Sequence, residues 1–190
     1  MIQYLFFSVT ISLFAFQLGS CANSKTQAEP KGLDVVLKFQ KHKPYCGGAY
    51  PTPDEENGWT SPMSNQQYAI YKAQNDSVKH TQKANALGVY TTNELGLIET
   101  KLAPGYYYAV MVDKTMSFEK FYSKYEIVSD QYRQSAGRAC FEEWYETPEL
   151  RFQVLDKGTN KFEVTLQSYC ITRLLRCIGW VGPLPPSVGR

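Results

Sequence analysis

Charge is missing from the first twenty residues, MIQYLFFSVTISLFAFQLGS, and so is length, because the apolar part from Leu5 to Phe16 is too short to cross a bilayer as a helix. That excludes an ordinary membrane span and leaves a secretory signal peptide, although only the free amino terminus supplies the usual positive start. Histidine is scarce, with 2 in 190 residues, so a catalytic Cys/His or Ser/His pair has few members to draw on. No Gly-x-Ser-x-Gly elbow and no phosphate-binding glycine loop occurs, which removes two common routes to a hydrolase or a nucleotide enzyme. A strong charge of one sign is lacking too: 20 Lys and Arg are mixed among 18 Asp and Glu, for a net charge of +2. Nothing in that balance implies nucleic acid or an acidic substrate as a partner. Repeats of solenoid period and low-complexity blocks are absent as well.

The apolar run ends in Leu18-Gly19-Ser20-Cys21. An aliphatic residue, two small residues and a cysteine at this position resemble the bacterial lipobox. That resemblance implies that residues 1–20 are cleaved, and that Cys21 becomes a lipidated N-terminus carrying a thioether-linked diacylglycerol and an N-acyl chain. Such an anchor exceeds the two-signal threshold for stable attachment and holds a protein on a membrane without spanning it. Ala22, where an aspartate would be an inner-membrane signal, implies the outer membrane. Residues 21–32 are polar and small with Pro and Gly, as in a flexible tether. Residues 33–190 are enough for a single domain with a sizeable core. The expected partners are a membrane through the lipid anchor and an envelope protein or glycan.

Within that domain the hydrophobic pattern has mainly a period of two. Leu33, Val35, Leu37 and Phe39 alternate onto one face of a strand; "QQYAIYKA" (66–73) and "SVKHTQ" (77–82) read as a hairpin around Gln74-Asn75-Asp76. Asn93-Glu94-Leu95-Gly96 reads as a turn, "LIETKL" as a strand, Ala103-Pro104-Gly105 as a second turn and "YYYAVMV" as an interior strand. In "SFEKFYSKYEIV" Phe118, Phe121, Tyr122 and Tyr125 recur at helical spacing behind Ser117, which predicts one short capped helix. The stretch from Val128 to Pro148 reads mainly as loop with one short strand. A closing hairpin is expected from Leu150, Phe152 and Val154 to Phe162, Val164 and Leu166, followed by an extended, Pro-rich tail.

The threonine-led turn, the short strand, Leu102-Ala103-Pro104-Gly105-Tyr106 and the aromatic strand after it resemble the carboxypeptidase regulatory-like or transthyretin-like family. "HKPYCGGAYPTP" and the terminal "GPLPP" are similar to small bacterial lipoproteins of that type. The resemblance implies a mainly β fold, an antiparallel immunoglobulin-like sandwich, with no catalytic machinery and no cofactor of its own. It names no ligand.

Four cysteines follow the lipobox: Cys46, Cys140, Cys170 and Cys177. An even number in an exported chain reads as two disulfides, and the short interval between Cys170 and Cys177 favours a local clip that leaves Cys46 to Cys140. "HKPYCGGAYPTPDEENGW" (42–59) then reads as a stapled surface loop, stiffened by Pro44, Pro51 and Pro53. The competing reading is a metal site built from His42 and free cysteines. Pro44 and Gly47-Gly48 preclude a helix that would align His42 with Cys46, His80 lies in an expected strand, and no second close ligand pair follows. Asp54-Glu55-Glu56 and Glu142-Glu143 are adjacent acids whose side chains diverge, so no catalytic pair is assigned. Trp59, Trp144, Tyr145 and Trp180 fall in loops or at element ends, where aromatics either cap a sandwich or contact a partner. The sequence therefore points to a tethered binding or accessory module of the cell envelope.

Overall fold

The computed structural model describes residues 32–45, 52–77, 79–80, 85–126, 133–168 and 176–180. The expected signal peptide, Cys21, Cys46, Cys170 and the tail beyond Trp180 lie outside them, as does all of the expected tether except Gly32.

The alternating opening segment forms strand β1 (Leu33–Lys43), with Val35, Leu37 and Phe39 buried. Burying each of these side chains is worth about 1.5–3 kcal/mol. One side of β1 pairs antiparallel with β5 (Leu97–Leu102) and then with β2 (Trp59–Pro62). Its other side pairs in parallel with β9 (Asn160–Gln167), from Val35↔Asn160 to His42↔Gln167. The second sheet runs β4 (Gly88–Thr91), β3 (Gln67–Ala73), β6 (Gly105–Met111), β8 (Leu150–Val154), all antiparallel. The two sheets bury one core between them: Phe39 stacks on Tyr68 at 3.9 Å, and Phe152 meets Phe162 at 5.0 Å. The molecule is the mainly β, two-sheet sandwich that the alternation predicts.

Three local readings are corrected. The expected return strand beside β3 is not formed by the described residues Ser77, Lys79 and His80, which have no strand conformation, and β3 takes β4 and β6 as partners. The closing strands exist but are not a hairpin. β8 joins the second sheet while β9 crosses to the first, since alternation specifies a buried face and not a partner. The connection is braced by Asn160, whose side chain accepts from the Leu155 N–H at 3.0 Å and donates to its carbonyl at 3.2 Å. The stretch 42–59 is only partly a loop: His42 and Lys43 finish β1, Pro53–Glu56 form a single helical turn (α1), and Trp59 begins β2.

The expected helix is present as α2 (Phe118–Tyr125), capped by Ser117, whose hydroxyl accepts from the Lys120 N–H at 3.4 Å. It follows a 3₁₀ turn over Val112–Thr115. A further helix, α3 (Arg138–Glu146), occupies part of the stretch expected to be loop, preceded by β7 (Arg133–Ser135), which pairs with β10 (Ile178–Trp180). α3 carries no local start signal: its N-cap is Gly137, without a side-chain bond, and no acid lies in its first turn. Tertiary packing forms it instead. Phe121 of α2 meets Trp144 at 5.0 Å and Tyr145 at 5.2 Å, and Phe141 is fully buried beside them. Arg138 adds an exposed clasp, bonded to Glu119 at 2.5 Å and to Glu142 at 3.1 Å.

The disulfide pairing also differs. Cys140 is bonded to Cys177, with Cα atoms 5.7 Å apart, so both Cys46–Cys140 and Cys170–Cys177 are ruled out. Short sequence separation is a poor guide here because α3 packs against the start of β10, where Ala136 donates to the Cys177 carbonyl at 2.8 Å. Closing the 37-residue interval stabilises by about 4 kcal/mol in the chain-entropy account. Peptide mapping of unreduced protein is expected to recover Cys140 linked to Cys177. It is also expected to recover Cys46 linked to Cys170, since β1 and β9 are parallel and leave the sheet at the same end, where the Ser168 N–H reaches the His42 carbonyl at 2.7 Å. A Cys46–Cys140 peptide would contradict this arrangement.

Candidate functional site

The inward face of β1 runs Val35, Leu37, Phe39 and then Lys41, which is exposed. Where the apolar series stops, a cavity of about 460 Å³ opens at the end of the sandwich. One wall comes from the first sheet, with Lys41 and its register partner Leu166 followed by Gln167 and Ser168. The opposite wall is Met63, ahead of β3, and Met111, the last residue of β6. The end of α3 and the start of β8 close the third side with Trp144, Thr147, Pro148 and Glu149, and Arg176 stands beside them. The volume is in the range of small-molecule sites. Its apolar part is rich in methionine, a side chain that adapts to irregular shapes.

Behind Glu149 lies a buried polar knot. Lys114, fully buried, donates from Nζ to Glu149 Oε1 at 2.5 Å and to the Thr147 carbonyl at 2.6 Å. Glu149 Oε2 accepts the Met111 N–H at 2.8 Å. Burial pushes the Glu149 carboxyl above the usual range and the Lys114 ammonium below its own, and each shift is opposed by the partner's charge. Both Glu149 oxygens are thus engaged, so the one acid among the described lining residues holds the wall together.

His80 completes the knot from the far side. Its backbone N–H donates to the Glu146 carbonyl at 2.8 Å, and its Nε2–H donates to the Lys114 carbonyl at 2.9 Å. The ring sits among Tyr71, Tyr108 and Tyr145, and among the described residues Nδ1 has no hydrogen-bond partner. Burial holds the imidazole below its ordinary pKa, and the nearby Lys114 charge acts in the same direction, whereas the Lys114 carbonyl opposes it. His80 is therefore a neutral structural side chain.

The residues singled out in the sequence scatter around this site. Trp144 is buried and lines the cavity. Tyr145 is buried behind it, its hydroxyl donating to the Met116 carbonyl at 2.7 Å, which makes it a core residue. Trp59 is 48% exposed on β2, paired with Lys43. Trp180 ends β10 opposite Arg133; its side chain is not among those described. His42 lies in β1 with Nδ1 3.4 Å from the Thr60 hydroxyl, and the Cys140–Cys177 bond removes two of the four thiols a metal site would use. Among the described residues no cluster of metal-ligating side chains occurs. Sequence reasoning missed Lys41, Lys114 and Glu149. Only Lys41 left a signal, as the next inward position after Phe39.

No family model matches this chain, and no curated protein matches it. Among solved structures it is similar to the Bacillus anthracis TIE protein, at 15% identity and a TM-score of 0.29, covering 70% of this chain and 17% of that one. An (S)-allantoin synthase shares 17% identity at a TM-score of 0.29, covering 72% and 41%. The shaft pilin SpaA of Lactobacillus rhamnosus GG, as a D295N mutant, shares 10% identity at 0.32, covering 71% and 49%. The chain thus spans less than half the length of each, and the likeness is too distant to carry an argument about activity.

His80 generates a pH dependence with a definite sign. Its folded pKa is depressed, so below about pH 6.5 the unfolded chain binds a proton that the folded one does not, and stability is lost as the pH falls. In urea melts, the stability advantage of wild type over His80→Gln should be constant above pH 7 and shrink by up to about 1.4 kcal/mol per pH unit below 6.5. An advantage that stays flat between pH 7 and 5 would contradict the neutral, buried assignment.

Proposed function

We propose that this chain is a non-catalytic binding or accessory module of a bacterial cell envelope, held on the outer membrane by a lipid at Cys21. In this reading it belongs with transthyretin-like lipoproteins and presents the cavity at the open end of its sandwich to a partner. The observation that carries the binding reading is the cavity itself: a methionine and tryptophan lining, a cation at its mouth, and an acid whose oxygens are both used internally. That is a recognition surface rather than a set of acid and base groups. The anchor reading rests on Leu18-Gly19-Ser20-Cys21 behind a short apolar run. Exposed Trp59, at the edge of β2, is a second place for a protein or glycan contact.

The experiment uses the protein in its own cells, grown with labelled fatty acid and fractionated. Wild type should take up label and pellet with outer membranes, and Cys21→Ala should do neither. A photo-reactive residue at Lys41 should give a discrete adduct on illumination, and one at exposed Leu155 should not. A Cys21→Ala protein that still pellets, with no label in the wild type, would overturn the anchor. Equal labelling from positions 41 and 155 would overturn the cavity as the contact.

A further inference from the structure

We propose that the cavity takes a small amphipathic carboxylate, its apolar body against the methionine and tryptophan walls and its anionic end at Lys41; this rests on the reading of the cavity as the binding site. The argument begins with strand register. Position 41 follows three buried apolar residues on the inward face of β1, and its neighbour across the parallel pair, Leu166, continues the apolar face of β9. A lysine here forfeits apolar burial at the sandwich end, and among the described residues no carboxylate pairs with it.

The other charges lining the cavity are already matched. Glu149 is neutralised by Lys114 and the Met111 N–H, while Arg176 is 3.1 Å from Glu143. Among the described residues the lining therefore has one cation left over. A cationic ligand would meet Lys41 and Arg176 without a free acid, and a neutral ligand would leave the Lys41 ammonium with only water. A carboxylate makes a charge-assisted bond there, with Gln167 and Ser168 in the same lining. The walls suit an apolar or aromatic body: Trp144 lines the cavity, and Met63 and Met111 adjust to a ligand's shape.

Calorimetric titration of the full-length lipoprotein in phospholipid nanodiscs, with empty nanodiscs subtracted, tests this with three probes of one shape: 4-phenylbutyrate, 4-phenylbutanol and 4-phenylbutylamine. The acid should bind about tenfold more tightly than the alcohol, and the amine most weakly. Lys41→Gln should erase the margin of acid over alcohol. Lys38→Gln, on the opposite face of β1 and paired with Glu163, should preserve it. Equal binding of acid and alcohol, tighter binding of the amine, or a margin that survives Lys41→Gln would overturn the proposal. Failure of all three probes would overturn it too, while the fractionation and cross-linking results above would still decide the broader reading.

Discussion

The Lys114–Glu149 ion pair is the point at which the sandwich and its helical layer meet. Lys114 belongs to the 3₁₀ turn after β6, and Glu149 stands between α3 and β8. Through the Met111 N–H, the Thr147 carbonyl and the Nε2 of His80, the pair ties together β6, the end of α3 and the segment at residue 80. Two ions buried this deeply lose several kcal/mol of hydration each, and their attraction offsets that loss only when every remaining donor and acceptor is satisfied. Here Lys114 donates two of its three N–H bonds to oxygens, with the Trp144 ring 6.0 Å from Nζ, and both oxygens of Glu149 are engaged. The pair fixes where the chain must turn more than it adds stability.

The rest of the molecule follows from that fixed turn. With Lys114 held, Phe118 and Phe121 swing over Trp144 and Tyr145, and the aromatic cluster so formed makes α3 a helix despite its weak local signals. The disulfide then secures the far end of this layer to β10. The cavity lies between the sandwich end and the layer, with Glu149 and Trp144 on one side and the exposed Lys41 on the other. A rigid frame around an adaptable methionine wall is a suitable arrangement for binding with little reorganisation. The same knot keeps its acid away from any ligand.

Much of the fold could be read from alternation and turn chemistry. β1 falls where its period-two pattern places it, β5 and β6 fall on either side of the Ala103-Pro104-Gly105 turn as expected, and the turn at Asn93 to Gly96 forms as its residues suggest: the Asn93 side chain accepts from the N–H groups of Leu95 and Leu97. Gly96 has φ +74°, and a Cβ there would lie 2.4 Å from the Phe39 carbonyl oxygen, so glycine is required. Ser117 marked α2 correctly. Pairing partners were not legible, because β8 and β9 alternate equally well as a hairpin or as strands of different sheets. Nor was α3, whose stability comes from residues distant in sequence, nor the cysteine pairing, which depends on α3. The site was least legible of all. A lysine and a glutamate 35 positions apart give no sequence sign that they will share a core.

The claim that this buried pair organises the junction is tested most directly by a double-mutant cycle read in urea melts of the oxidised protein. Glu149→Leu strands a buried ammonium and is expected to cost about 3–5 kcal/mol, and Lys114→Met strands a buried carboxylate at similar cost. The Lys114→Met, Glu149→Leu double variant, with no buried charge left, should recover most of that loss. Single variants within about 0.5 kcal/mol of wild type, or losses that simply add in the double variant, would contradict the account.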